Sequence, residues 1–147
     1  MEQIIICERD FQKARKKIRE NPRKVVIFSS DDDELNKKIL EKENIDILLL
    51  NLSSRKDRMK QRDSGFNHVL ARLAKKKNIS LGINLDEIIN SKPKEKSEIL
   101  ARVRQNIKLC NKNKLKMKFI SSKKRDRYNL KSLGLLLGMP TWMTKNL

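Results

Sequence analysis

The alternation of two kinds of apolar pattern constrains this chain most. Short apolar runs of strand length recur at residues 4–7 (IIIC), 25–29 (VVIFS), 47–50 (ILLL), 81–85 (LGINL) and 117–121 (MKFIS). Between them, residues 10–20, 32–44, 64–77 and 94–113 repeat their apolar positions at helical spacing. Strand and helix in regular succession indicate parallel β/α units, because a parallel neighbour needs a crossover and a helix supplies it. With 147 residues the chain reads as a single domain, residues 1–147, long enough to bury a real core. A closed eight-stranded β/α barrel usually takes about 250 residues. The expected class is therefore α/β, either an open parallel sheet or an incomplete barrel of about five to six strands.

Residues 62–78, RDSGFNHVLARLAKKKN, show how one such helix is specified. Asp63 or Ser64 can cap it by accepting from the free amides of the first turn. Phe66, Val69, Leu70, Leu73 and Ala74 fall at i, i+3, i+4, i+7 and i+8, the spacing of one buried face. His68, the only histidine, and Arg72 lie one turn apart and off that face. Lys75, Lys76 and Lys77 sit where the helix dipole favours cations, and Asn78 suits a left-handed terminator. In the second helix Asp31, Asp32 and Asp33 favour an N-terminus more than a metal site, and Leu35, Ile39 and Leu40 are the expected core contacts. In the fourth, Ile99, Val103, Ile107 and Cys110 share a face and leave Arg102, Arg104 and Lys108 to solvent. Leu115, Met117 and Phe119 alternate with Lys114, Lys116 and Lys118, the pattern of a half-exposed strand. A last helix over residues 130–137 ends at Gly138 and Met139, before Pro140.

Lys and Arg number 36 against 18 Asp and Glu, a formal net charge of +18. Such an excess destabilises a compact state by self-repulsion, and proteins that carry it usually meet a polyanion. Nucleic acid is the leading partner and a membrane surface the runner-up, although a Lys- and Asn-rich composition also arises from biased genomes. No membrane span is expected: the longest apolar run, residues 45–50, contains Asp46 and is far below the roughly 20 residues a span needs. The opening residues 1–7 are followed at once by Glu8, Arg9 and Asp10, unlike a secretory segment, so a cytoplasmic location is expected. Cys7 and Cys110 each lie in an apolar setting and read as buried thiols rather than a disulfide or zinc framework.

Catalytic chemistry finds little support. One histidine cannot build the several-histidine sites typical of metal-dependent phosphoesterases. Neither a GxxxxGK[ST] loop nor a GxGxxG turn occurs, so the usual phosphate cradles are absent. Nothing marks a nucleophile elbow for which His68 would be the base. No protein catalytic residue and no metal ligand is therefore assigned. Basic residues gather instead where loops leave strands: Arg55, Lys56, Arg58, Lys60 and Arg62 after the third, and Ser121, Ser122, Lys123, Lys124, Arg125 and Arg127 after the fifth. In parallel β/α folds ligands bind at those strand ends. Two basic loops on one rim would form a phosphate-binding surface, with Arg giving bidentate contacts and Lys point charge. For any single lysine a solvated loop is the simpler reading. The six aromatics, Phe11, Phe28, Phe66, Phe119, Tyr128 and Trp142, sit mostly in apolar patterns, so recognition of folded RNA by shape and backbone fits better than base stacking.

Residues 63–85, DSGFNHVLARLAKKKNISLGINL, resemble the signature of RNase P protein component 3, the archaeal relative of the thirty-kilodalton eukaryotic RNase P subunit. Ser121 and Ser122 after a strand, a short basic connection and then LKSLGLLLGM at residues 130–139 resemble that family's closing segment. The resemblance implies a TIM-barrel-like subunit that assists a catalytic RNA in removing 5′ leaders from precursor tRNA. It implies RNase P RNA, precursor tRNA, protein component 2 and further RNase P proteins as partners. The protein itself would bind no cofactor, and magnesium would sit on the RNA. Arg62, His68 and Arg72 match polar signature positions, and Ser121 and Ser122 match the serine pair. Arg62 is expected on RNA phosphate. His68 either bonds RNA or fixes the loop before its helix, and Arg72 contacts RNA or protein. Lys75, Lys123, Arg125 and Arg127 are RNA candidates on charge and position. Family members run longer at the N-terminus, so opening strand and helix units are expected to be missing and closure of the barrel is not expected. The competing readings are a stand-alone metal-dependent phosphoesterase on a barrel-like fold, and an interaction subunit that has lost RNA contact.

Overall fold

The computed structural model describes residues 2–147. Its strands are β1 (Gln3–Cys7), β2 (Val25–Ser29), β3 (Ile47–Leu50), β4 (Ser80–Asn84) and β5 (Met117–Ile120). They pair in parallel and strictly in chain order. Helices α1 (Phe11–Arg19), α2 (Asp33–Lys42) and α3 (His68–Lys76) make the first three crossovers. The fourth uses α4 (Leu85–Asn90) and α5 (Pro93–Lys112), and α6 (Arg127–Leu137) and α7 (Thr141–Thr144) follow β5. Right-handed crossovers in a sheet whose order never reverses keep their helices on one face, whereas a doubly wound sheet reverses its order. The fold is thus TIM-barrel-like and open, with β1 and β5 as its two edges.

Period-two alternation along the strands separates the two faces of the sheet. Ile6, Val26, Phe28, Leu48, Leu50, Leu81, Ile83 and Met117 point to the helices and join Ile39, Leu40, Ala71, Ile99, Val103 and Cys110 in one large core. Ile27, Ile47 and Leu49 make a smaller cluster of their own, flanked by Val25 and Ile120. Gly82 belongs with that second cluster: a Cβ there would come within 2.9 Å of Ile47 Cγ2 and 3.1 Å of Leu49 Cδ1. Each fully buried aliphatic side chain adds roughly 1.5–3 kcal/mol of transfer free energy, so the large cluster dominates stability.

Three helices end in the same way. Asn78, Lys114 and Gly138 adopt positive φ of 57°, 55° and 102°. The next residue then donates its amide five residues back, Ile79 to Ala74, Leu115 to Cys110 and Met139 to Gly134, at 2.8–2.9 Å. Ile79, Leu115 and Met139 are all buried. Each terminator therefore closes orphan carbonyls and drives an apolar anchor into the core.

Several expectations are corrected. Asn67 caps α3, accepting from the Leu70 amide at 2.9 Å, so the helix starts later than Asp63 or Ser64 would set it. Asp63 is held by the Arg55 guanidinium and the Gly65 amide, and Ser64 is buried. Val69 is 66% exposed and Ala71 takes its place in the buried stripe. Arg102 is 1% exposed, not solvated, because carbonyls of the chain after β3 take its guanidinium donors. Cys7 is exposed and only Cys110 is buried. Helices α4 and α7 were not expected, and α6 begins at Arg127 because Asp126 caps it through the Tyr128 amide.

Candidate nucleic-acid interface

Because the strands are parallel, all their C-terminal ends open on one rim, where the two basic loops emerge. The loop from β3 to α3 spans residues 51–67 and the loop from β5 to α6 spans residues 121–126. The first turn of α4 lies between them. Asp86 accepts from Ser121 Oγ at 2.7 Å and from the Ser122 amide at 2.8 Å. Glu87 accepts from the amides of Leu52 and Ser53, the shortest at 2.7 Å. Asn84, the last residue of β4, caps α4 through the Glu87 amide and donates to Asn51 at 3.4 Å.

Arg55 is turned inward. Its guanidinium meets both carboxylate oxygens of Asp33 at 2.9 and 3.1 Å, Asp63 at 3.3 Å and the Asn51 carbonyl at 2.7 Å. Burial opposes its charge, and the Asp33 and Asp63 carboxylates outweigh that, so its pKa is raised. Gly65 passes close by with φ +68°, where a Cβ would lie 2.7 Å from Arg55 Nη2. Arg102 on α5 donates to the carbonyls of Leu52 at 2.7 Å and Arg55 at 2.8 Å, and to Asp57 at 3.3 Å.

The rim carboxylates are thereby occupied. The Asp63 amide and then the Arg102 guanidinium hold the Asp57 carboxyl below its ordinary range. Ser121 and the Ser122 amide do the same for Asp86. Asp31 accepts from Asn51 at 3.1 Å. Among the described residues no group of three or more His, Cys, Asp or Glu is placed to hold a metal ion. With the acids committed inward, Lys56, Arg58, Lys60, Lys123, Lys124 and Arg127 face solvent as the uncompensated charge of the rim.

A family model described as RNase P subunit p30 matches residues 5–143. The chain belongs to that family. Ribonuclease P protein component 3 of Methanococcus maripaludis (strain C7 / ATCC BAA-1331) is 29% identical over 137 residues, 93% of this chain and 56% of that protein. The Methanothermobacter thermautotrophicus protein of the same name is 28% identical over 131 residues, 89% of this chain and 50% of that protein. The chain thus spans about half the length of the curated relatives it matches. A chain in a cryo-EM structure of archaeal ribonuclease P with mature tRNA shares the fold at a TM-score of 0.79 and 22% identity, covering 97% of this chain and 62% of that one.

The p30 fold distributes the candidate residues unevenly. Arg62 is on the rim, its guanidinium 3.2 Å from Asp57 and its amide and carbonyl both bonded to Gln105. His68 is exposed as the first residue of α3, on the same rim. Ser121, Ser122, Lys123 and Arg125 form the second loop. Ser121 Oγ accepts from the Lys123 amide and Arg125 Nε at 3.3 Å, while Arg125 Nη2 lies 3.9 Å from Asp86. Arg127 opens α6. Arg72 is exposed further along α3, and Lys75 stands at its far end, donating to the Lys114 carbonyl at 3.1 Å. Lys75 is therefore not part of the rim. Arg102, Gln105, Asp86 and Glu87 were missed as site residues. A trace of the first was present: Arg102 and Asn106 fall on the Ile99–Val103–Cys110 stripe, polar residues at core positions.

Proposed function

We propose that this p30-family chain is an RNA-binding protein subunit of ribonuclease P, assisting the catalytic RNA in endonucleolytic removal of 5′ leaders from precursor tRNA. The family match over residues 5–143 carries this reading. The +18 net charge and a rim whose acids are consumed internally support it physically. In this reading it is an enzyme component only through the holoenzyme, and magnesium belongs to the RNA. RNase P RNA and precursor tRNA meet the rim through Arg62, His68, Ser121, Ser122, Lys123, Arg125 and Arg127, with Arg72 and Lys75 on a more distal path. The expected location is the cytoplasm; no described helix is long and apolar enough to cross a membrane.

Component 2 and other RNase P proteins are the proposed protein partners. One observation favours a surface for them: α6 exposes Tyr128, Leu135 and Leu136, an apolar face on a highly charged molecule. Reconstitution with the RNase P RNA and the remaining proteins is expected to raise precursor cleavage at moderate magnesium. No change in cleavage or particle assembly on adding this chain would refute the reading. Arg62→Ala or Arg72→Ala is expected to weaken assembly by roughly 1–3 kcal/mol where a charged bond is lost at a desolvated interface.

A further inference from the structure

The connection between β3 and α3, residues 51–67, contains no helix or strand. A structureless segment of this length is uncommon in a compact domain unless it serves a function. Yet both of its arms are fixed, and from one helix. Arg102 holds the outgoing arm at the Leu52 and Arg55 carbonyls and the Asp57 carboxylate. Three residues along α5, Gln105 holds the returning arm: Nε2 donates to the Arg62 carbonyl at 2.9 Å and Oε1 accepts from the Arg62 amide at 3.3 Å. Asp57 draws the arms together by accepting from the Asp63 amide at 2.9 Å and from Arg62 Nη1 at 3.2 Å. Beyond this neck the chain reverses, with the Arg58 amide donating to the Gln61 carbonyl at 3.0 Å. Arg58, Met59, Lys60 and Gln61 all stand in solvent, Met59 completely.

A buried guanidinium is tolerated only when its donors are matched. Here they are matched by the loop's own backbone, so the burial of Arg102 orders the loop. A solvated connection has no use for such a clamp, whereas a recognition element does, because ordering done before binding is not subtracted from affinity. The tip sets two cations around one apolar side chain. Phosphates suit Arg58 and Lys60, and the flat face of a base or sugar suits Met59.

We propose that residues 58–61 form a preordered RNA-contacting turn, and that Arg102 and Gln105 are positioning residues that set its affinity without touching RNA. The proposal rests on the RNA-binding reading above. It is tested by titrating the full chain with an RNase P RNA transcript across a salt series, with hydrogen exchange of the free protein in parallel. Arg58→Ala with Lys60→Ala is expected to weaken binding and to flatten the log–log salt slope by roughly 1.5, the loss of two phosphate contacts. Gln105→Ala and Arg102→Met are expected to speed exchange of amides 53–63 and weaken binding roughly threefold to tenfold with the slope unchanged. Gln105→Ala keeps the test open should Arg102→Met fail to fold. Unchanged affinity and slope in the Arg58/Lys60 variant, alongside lost binding in a Lys123/Arg125/Arg127 alanine variant, would overturn the turn and leave the RNA reading standing. Faster exchange without weaker binding in Gln105→Ala would overturn the positioning role. Equal affinity for polyglutamate would overturn RNA as the partner of the turn, and no binding by the unmodified chain at low salt would overturn both proposals.

Discussion

Asp86 and Glu87, neighbours in the first turn of α4, reach in opposite directions: Asp86 to Ser121 and Ser122 in one basic loop, Glu87 to Leu52 and Ser53 in the other. One short helix thus sets the spacing of the two cationic segments on the rim. The acids also place negative charge at the helix N-terminus, where the dipole favours it.

This joint is expected to be acid-sensitive. The Asp86 carboxyl is lowered from its ordinary 3.8 by the Ser121 hydroxyl first and the Ser122 amide next. A group with a depressed folded pKa contributes its stabilisation above the unfolded value and loses it as pH falls through the folded value. Protection of the Ser122 and Lys123 amides should therefore be intact at neutral pH and fall away below 3.8. In Asp86→Ala it should already be low at neutral pH. Exchange followed by NMR reads both; a pH-independent Ser122 amide would contradict the role.

Two glycines with positive φ should respond differently to alanine. At Gly65 a Cβ meets Arg55 Nη2 at 2.7 Å, while at Gly138 nothing lies within 4 Å. Gly138→Ala is expected to lose about 1–2 kcal/mol, the left-handed backbone term alone. Gly65→Ala should lose more, because the Arg55 ion pairs must also shift. Denaturant titration of the two variants gives the comparison.

The corrected stripe on α3 and the long helix make a packing prediction. Ile99→Ala removes a side chain with no exposure and should cost roughly 2–5 kcal/mol. Val69→Ala lies on the exposed side and should change stability by no more than about 0.5 kcal/mol. Equal effects on the melting temperature would restore Val69 to the core.

The thiols should separate cleanly. Cys7 is exposed, whereas burial pushes the Cys110 thiol up to about 12. A thiol reagent at pH 8 is expected to modify one cysteine per native molecule and both in denaturant, because the thiolate is the reactive species. Peptide mapping should place the native label on Cys7.

Element order was legible because the β/α alternation is written in local periodicity, and β2 and β3 fall at residues 25–29 and 47–50 as read. What failed was decided at a distance. Asp63, Ser64 and Asn67 are all capping types, and only the claims of Arg55 on Asp63 and Gln105 on Ser64 leave Asn67 to start α3. Arg102 violates the rule that charge faces water because its acceptors lie 47 and 50 residues away in sequence. Leu85 closes a strand pattern and also opens α4, a helix too short to show a period. Of the candidate interface, the basic loops were visible as charge runs. The acids that position them were not, since a scattered Asp or Glu carries no signature until its donor is known.

Because every strand pairs only with the strand made just before or just after it, no part of the sheet must wait for a distant segment to be synthesised. Each βα unit can dock on its predecessor while the ribosome is still adding residues, and few apolar surfaces wait unpaired during synthesis. In a chain this positively charged, docking unit by unit also shortens the time that any one basic segment spends on unfolded chain, where it can be captured by the RNA that surrounds it.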